Sequence, residues 1–294
     1  MIAVMGATGN TGKRVAEKLL GRGERVRVIG REAKKLQPLV VKGAEAAVGD
    51  ATDVAFLVRA LTGADAAYTL LPPDLGAGDL RAFQDRVGEA TGRALRKSGV
   101  RHVAFLSSQG ADLAAGTGPI AGLHAQEERL RPLGMNVLFL RPAYFFENFY
   151  GSLGVIKHQG VNGGAIAPDV KLAMVATRDI ADAAAAALGA RDFSGVVVRD
   201  LLGPRDLTFA EATRILGEKI GKPDLKYVQF PYSAFAEALV QVGLSKDVGR
   251  LVAEMSRAFN EDRIRPVGGR TAASTTPTTF ESFADALAQA YKQL

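Results

Sequence analysis

The most chemically loaded stretch of this chain is its opening loop, Gly6-Ala7-Thr8-Gly9-Asn10-Thr11-Gly12. It lies between an apolar run, residues 2–5, and an amphipathic stretch carrying Val15, Ala16, Leu19 and Leu20. Glycines placed this way allow a tight turn, a close backbone approach to a pyrophosphate and close packing of helix on strand. The helix that begins there turns free N–H groups and the positive end of its dipole toward an anion. Thr8, Asn10 and Thr11 add side-chain donors. The spacing is GxxGxxG rather than GxGxxG. The next apolar run, residues 25–29, ends in Gly30-Arg31, with Lys34 and Lys35 following. An acid at that point would accept from a ribose 2′-OH, whereas an arginine can pair with a 2′-phosphate and stack on adenine. The pattern therefore predicts NADP(H) in preference to NAD(H), with Arg31 and Lys35 near the extra phosphate and Glu32 pointing away.

Further candidates end the later apolar runs. Asp50 and Ala51 follow residues 44–48, where an acid can accept from the adenine amino group. Leu70, Leu71 and Pro72 end residues 66–71 and should flank the adenosine or pyrophosphate. Ser107 and Ser108 follow residues 102–106, toward the nicotinamide ribose. All these points fall at C-terminal strand ends, where open α/β sheets bind ligands.

The elements that must position these residues alternate regularly. Candidate strands at 2–5, 25–29, 44–48, 66–71, 102–106 and 136–140 are separated by amphipathic stretches and carry few polar interruptions, as expected of strands covered on both faces. Asp53 can cap one helix with Val54, Leu57, Val58 and Leu61 inward, and Leu80 to Leu95 mark another, closed by Gly99. After Pro142 come an aromatic cluster, a glycine-rich segment through Gly164, a helix at 179–188 capped by Asp179, a strand at 196–199, and helices from residue 207 onward. The expected fold is α/β: a Rossmann-type, doubly wound parallel sheet with a smaller, mainly helical C-terminal lobe. Residues 1–145, completed by about 171–203, form the dinucleotide-binding core, and 146–170 with 204–294 form a substrate lobe.

Composition narrows the chemistry. The 294 residues contain no cysteine, which removes disulfides, thiolate nucleophiles and cysteine metal sites. Three scattered histidines (His102, His124, His158) lack zinc-site spacing, so no metal is expected. The net charge of +6 is dispersed among acids, which argues for an anionic small ligand over nucleic acid. No basic leader precedes the first strand, and no apolar run approaches the roughly 18 residues that span a bilayer. A cytoplasmic monomer or homodimer, without a membrane partner, is the expectation.

The opening loop, Arg31, Gly49-Asp50, the segment Leu140-Arg-Pro-Ala-Tyr-Phe-Phe-Glu-Asn-Phe149 and the tail Thr278-Thr-Phe-Glu-Ser-Phe283 together resemble the NmrA-like family of atypical short-chain dehydrogenase/reductases. That family includes NADPH-dependent quinone and triphenylmethane-dye reductases, isoflavone-reductase-like enzymes and redox-sensing regulators. The resemblance implies that Pro142, Ala143, Tyr144 and Phe145 pass beside the nicotinamide, with Glu147 and Asn148 orienting this loop. Packing between lobes is the equal alternative for the aromatics. The Tyr-x-x-x-Lys dyad of typical short-chain dehydrogenases is absent: no tyrosine lies between Tyr68 and Tyr144, and no lysine between Lys97 and Lys157. His124 with Glu127 or Glu128 resembles the His…Glu pattern of the quinone- and dye-reductase branch, where a histidine could hold a substrate or give a proton. His124 and Tyr144 are the catalytic candidates, and a surface histidine at a helix start is the plain alternative for the first. The function expected is NADPH-dependent hydride transfer to a quinone-like or conjugated aromatic acceptor, with a non-enzymatic NADP(H)-sensing regulator as the alternative. A sugar-nucleotide epimerase fits poorly without the dyad.

Overall fold

The computed structural model describes residues 1–294. Seven parallel strands form the central sheet: β1 (Ile2–Met5), β2 (Val26–Gly30), β3 (Glu45–Val48), β4 (Ala66–Leu70), β5 (His102–Leu106), β6 (Asn136–Pro142) and, after the short β7 (Tyr144–Phe145), β8 (Val161–Gly164) and β9 (Leu172–Val175), the edge strand β10 (Val196–Leu201). Their spatial order is β10-β6-β5-β4-β1-β2-β3. The order reverses between β1 and β4, and such a switch point opens a crevice at the C-terminal strand ends.

Alternation along the strands divides the core in two. Ile2 and Val4, Ala66 and Tyr68, and Leu138 and Leu140 pack toward helices α1 (Asn10–Gly21) and, later in the chain, Thr177–Ala190. Ala3 and Met5, Ala67, Val103 and Phe105, and Val137 and Phe139 face the opposite layer. That layer contains α3 (Val54–Leu61) and α4 (Leu80–Ser98), which follow α2 (Ala33–Val40) in the chain. Each face buries one residue in two, which is why these runs look continuously apolar. Asp53 accepts from the Phe56 amide at 3.1 Å and starts α3, and Gly99 closes α4 in the left-handed conformation.

Next come α5 (Ile120–Leu130), α6 (Leu153–Gln159), α7 (Thr177–Ala190), α8 (Phe209–Lys219), α9 (Tyr232–Gln241), α10 (Lys246–Asn260) and α11 (Phe280–Lys292). A two-residue strand, β11 (Asp206–Leu207), pairs with β9, and β12 (Lys226–Gln229) pairs with β8. Here the glycine-rich segment is more regular than its composition suggests. Leu153 and Ile156 bury against the second hydrophobic cluster and hold α6 in place. The same cluster gathers Phe146, Phe149, Phe209, Phe259, Phe280 and Phe283.

One capping expectation is corrected. Helix α7 begins at Thr177, ahead of Asp179, and it is Glu147 that accepts from the Thr177 amide at 3.0 Å. Asp179 instead accepts from the Thr278 amide at 3.0 Å and its hydroxyl at 2.7 Å, tying the tail to the core. The residue is buried, so the carboxylate satisfies donors that water cannot reach. Asp179→Ala should cost about 1–3 kcal/mol by leaving the Thr278 amide without a partner. Equilibrium urea unfolding checks this, and a change within error would show that the tie contributes nothing.

Candidate dinucleotide-binding site

A cavity of about 570 Å³ lies at the switch point. The loop after β1 contributes Gly6, Thr8, Gly9, Asn10 and Thr11, and the end of β2 contributes Arg31. Ala51 comes from beyond β3, Leu70, Leu71 and Pro72 from β4, Ser107 and Ser108 from β5, and Phe145 from β7. Met5, Ile29, Gly30, Gly49, Pro73, Leu106 and Leu123 complete the wall. Six strands contribute to one crevice, and Arg31 is the only charged side chain lining it.

The loop is built for backbone exposure. Gly6 has φ of 63°, a conformation natural to glycine. The Gly9 amide donates to the Gly6 carbonyl at 2.9 Å and closes the turn. A Cβ on Gly12 would lie 2.4 Å from the Gly6 oxygen and 2.9 Å from that of Met5, so only glycine lets α1 sit this close to β1. Helices α3, α4, α8, α10 and α11 carry side-chain caps from Asp53, Asp79, Thr208, Ser245 and Thr279. Helix α1 has no side-chain cap and no acid in its first turn. Its first amides are left for an external acceptor, and an anion fits them.

Several expected residues take other places. Gly12 lies beneath the loop, outside the cavity wall. Lys35 turns along α2 to meet Glu32 at 2.7 Å, away from the cavity. The sequence reading had no helix there, and the i,i+3 spacing of α2 is what brings the two together. Asp50 accepts from the Thr52 amide at 2.7 Å and hydroxyl at 2.8 Å and does not line the cavity. The Thr52 amide, then the hydroxyl, hold its carboxyl below the usual range. Ala143 is buried beneath the following loop. Tyr144 packs edge-on against Phe209 at 5.3 Å and against Phe149 and Phe259, joining the lobe cluster rather than the cavity wall. Burial pushes its hydroxyl pKa up to about 12, the Asn148 hydrogen bond pulling weakly the other way.

His124 faces a second cavity with Asp112, Glu128, Arg131, Arg141 and Asp200. Its Nδ1–H donates to the Ala111 carbonyl at 2.9 Å. The neighbouring Leu123 lines the main cavity instead, as a rotation of about 100° per residue along a helix requires.

Sequence reasoning named Glu127 only as a possible partner of His124 and missed the network it forms. Glu127, with its side chain 1% exposed, accepts from Ser107 Oγ at 2.6 Å and from both Nε and a terminal nitrogen of Arg141 at 2.9 and 2.6 Å. Arg141 is buried as well. Burial pulls its pKa down, and the bonds to Glu127 outweigh that and leave it raised. Neither residue carries a sequence signal beyond the resemblance of its segment, because an acid and an arginine 14 positions apart read as two surface charges.

The parallel sheet and the crevice at its switch point define a Rossmann-type α/β protein. The chain belongs to the NmrA-like family, whose model matches residues 1–284. It is 30% identical over 259 residues to quinone oxidoreductase 2 of Escherichia coli (strain K12), covering 86% of each chain. It is 26% identical to the NAD(P)H azoreductase of Xenophilus azovorans over 99% of both. Among solved structures, the NADPH-dependent quinone oxidoreductase of Escherichia coli complexed with NADPH matches with a TM-score of 0.81 at 25% identity, covering 98% of this chain and 99% of that one.

Packing of Tyr144 generates a pH dependence. Its hydroxyl titrates near 10 in the unfolded chain and about 12 in the fold. The folded state therefore holds one more proton between these values, so Tyr144 stabilises the fold below about pH 10 and progressively less toward pH 12. The unfolding free energy of wild-type protein should fall more steeply over that window than that of Tyr144→Phe. Parallel slopes would show that the hydroxyl is not desolvated.

Proposed function

We propose that this chain is an NADPH-dependent reductase that passes hydride to a flat, conjugated acceptor of the quinone or dye kind. The observation that carries the reading is the polarity of the main cavity. On the β2 side of the switch point stand Arg31 and the uncapped terminus of α1, Leu70 packs beside the glycine loop, and the β5 side offers only Leu106, Leu123, Phe145 and two serines. The adenosine diphosphate half of the cofactor matches the β2 side. Amides of α1, with Thr8, Asn10 and Thr11, would hold the pyrophosphate, and Arg31, which makes no ion pair within the protein, would meet the 2′-phosphate.

Bound NADPH would supply the hydride. The chain's own task on the β5 side is to seat a planar molecule and exclude water, and the leucines and Phe145 do both. No cation stands there to recognise a phosphorylated acceptor. No tyrosine or lysine lines the wall either, so a simple ketone, which needs a positioned acid, is poorly served. A conjugated acceptor spreads the arriving charge over its own π-system and asks less of the protein. The Ser108 hydroxyl, free of protein partners, is placed to exchange a proton with such an acceptor.

Stopped-flow loss of NADPH absorbance with a panel of quinones, azo dyes and triphenylmethane dyes tests the proposal. Turnover with at least one acceptor, and much slower turnover with NADH, is the expected result. Tight NADPH binding with no turnover on any acceptor would overturn the reductase reading and favour an NADP(H)-sensing regulator.

A further inference from the structure

We infer that Ser107 meets the cofactor only as a hydrogen-bond acceptor, and that Glu127, locked by Arg141, is the positioning residue that fixes it so. The inference rests on the reading that the main cavity holds a nicotinamide dinucleotide. Ser107 follows directly after β5 on the cavity wall, and its amide donates to the Leu140 carbonyl at 2.8 Å, which pins the backbone. Its hydroxyl donates to Glu127 Oε1 at 2.6 Å, a length typical of a charge-assisted bond.

The carboxylate has no freedom to respond otherwise. Arg141 Nε reaches the same oxygen at 2.9 Å, and the terminal nitrogens of Arg141 and Arg131 reach Oε2 at 2.6 and 3.3 Å. Every neighbour is a donor, so Glu127 accepts four times and the hydrogen between it and Ser107 stays on the serine. A bidentate guanidinium fixes the carboxylate in plane as well as in distance. Burying such a pair is expensive compared with apolar side chains of the same size. Fixing the serine at the cavity is the use this fold makes of it.

With its hydrogen committed, Ser107 has only lone pairs to offer the cavity. Its partner must be an N–H or O–H of the nicotinamide riboside half of the cofactor. Ser107 is thereby excluded as a proton donor to the acceptor, and the adjacent Ser108 is left as the only wall hydroxyl at that end able to donate.

Two probes separate positioning from general damage: NADPH, and 2′,5′-ADP, which lacks the nicotinamide riboside. Ser107→Ala and Glu127→Gln should each weaken NADPH about tenfold, roughly one hydrogen bond, and leave 2′,5′-ADP within about twofold. The double variant should bind NADPH no worse than Ser107→Ala alone, because Glu127 acts through that hydroxyl. Multiplying losses, or equal losses for both probes, would overturn the inference. Should Glu127→Gln fail to fold, Arg141→Lys replaces it. Lysine keeps a cation on Glu127 but loses the fork, so the same selective loss is expected, and undiminished NADPH affinity overturns the inference. Wild-type protein that binds neither probe would overturn the cofactor reading as well; wild-type protein that binds both, with variants that match it, overturns this inference alone.

Discussion

The first amides of α1 have no acceptor within the protein, and most of the architecture around them serves to keep them so. Gly12 allows the helix to approach β1 until a methyl group would collide with the Gly6 carbonyl. The left-handed Gly6 and the short turn to Gly9 then point the loop across the crevice. Five other helices start on a side-chain cap from aspartate, serine or threonine; α2, α5 and α9 lack one, as α1 does, and what sets α1 apart is that its bare start lines the main cavity. An uncapped helix start costs stability unless an anion or water completes it. The sheet order supplies the rest, since reversal between β1 and β4 is what leaves room for a ligand.

Charge is handled very differently at the two ends of the crevice. Arg31 stands on the β2 side of the cavity without an ion-pair partner in the protein, where the proposed reading puts the adenosine. At the other end the charges of Glu127 and Arg141 are spent on each other behind the wall, and what reaches the cavity is one oriented hydroxyl. The proposed hydride transfer would gain from this arrangement. Apolar walls exclude water, and a fixed dipole orients a neighbour without offering a competing proton.

The sequence was most legible where function needs local, contiguous features. The glycine loop, Arg31 and the serines after β5 sit at strand ends that periodicity alone locates, and the structure gathers them around one cavity. Legibility failed where a role depends on helical phase or on distant partners. His124 and Leu123 are neighbours, yet only the leucine reaches the main cavity, because a difference of one position along α5 changes which space a side chain enters. Lys35 looked like part of a basic cluster, and an unexpected helix turned it to Glu32. Asp179 had the composition of a cap, but Glu147 from another segment took that position. Glu127 and Arg141 were invisible as a pair, since a long-range ion pair leaves no spacing rule behind.

Everything functional in this account depends on whether the opening loop and Arg31 bind a phosphorylated dinucleotide. Isothermal titration of NADPH and NADH into wild-type protein and Arg31→Glu measures that directly. The account predicts saturable heat with NADPH, weaker binding of NADH to the wild type, and a loss in Arg31→Glu that falls mainly on NADPH. Absence of heat with both cofactors, or an equal loss for both in the variant, would contradict it.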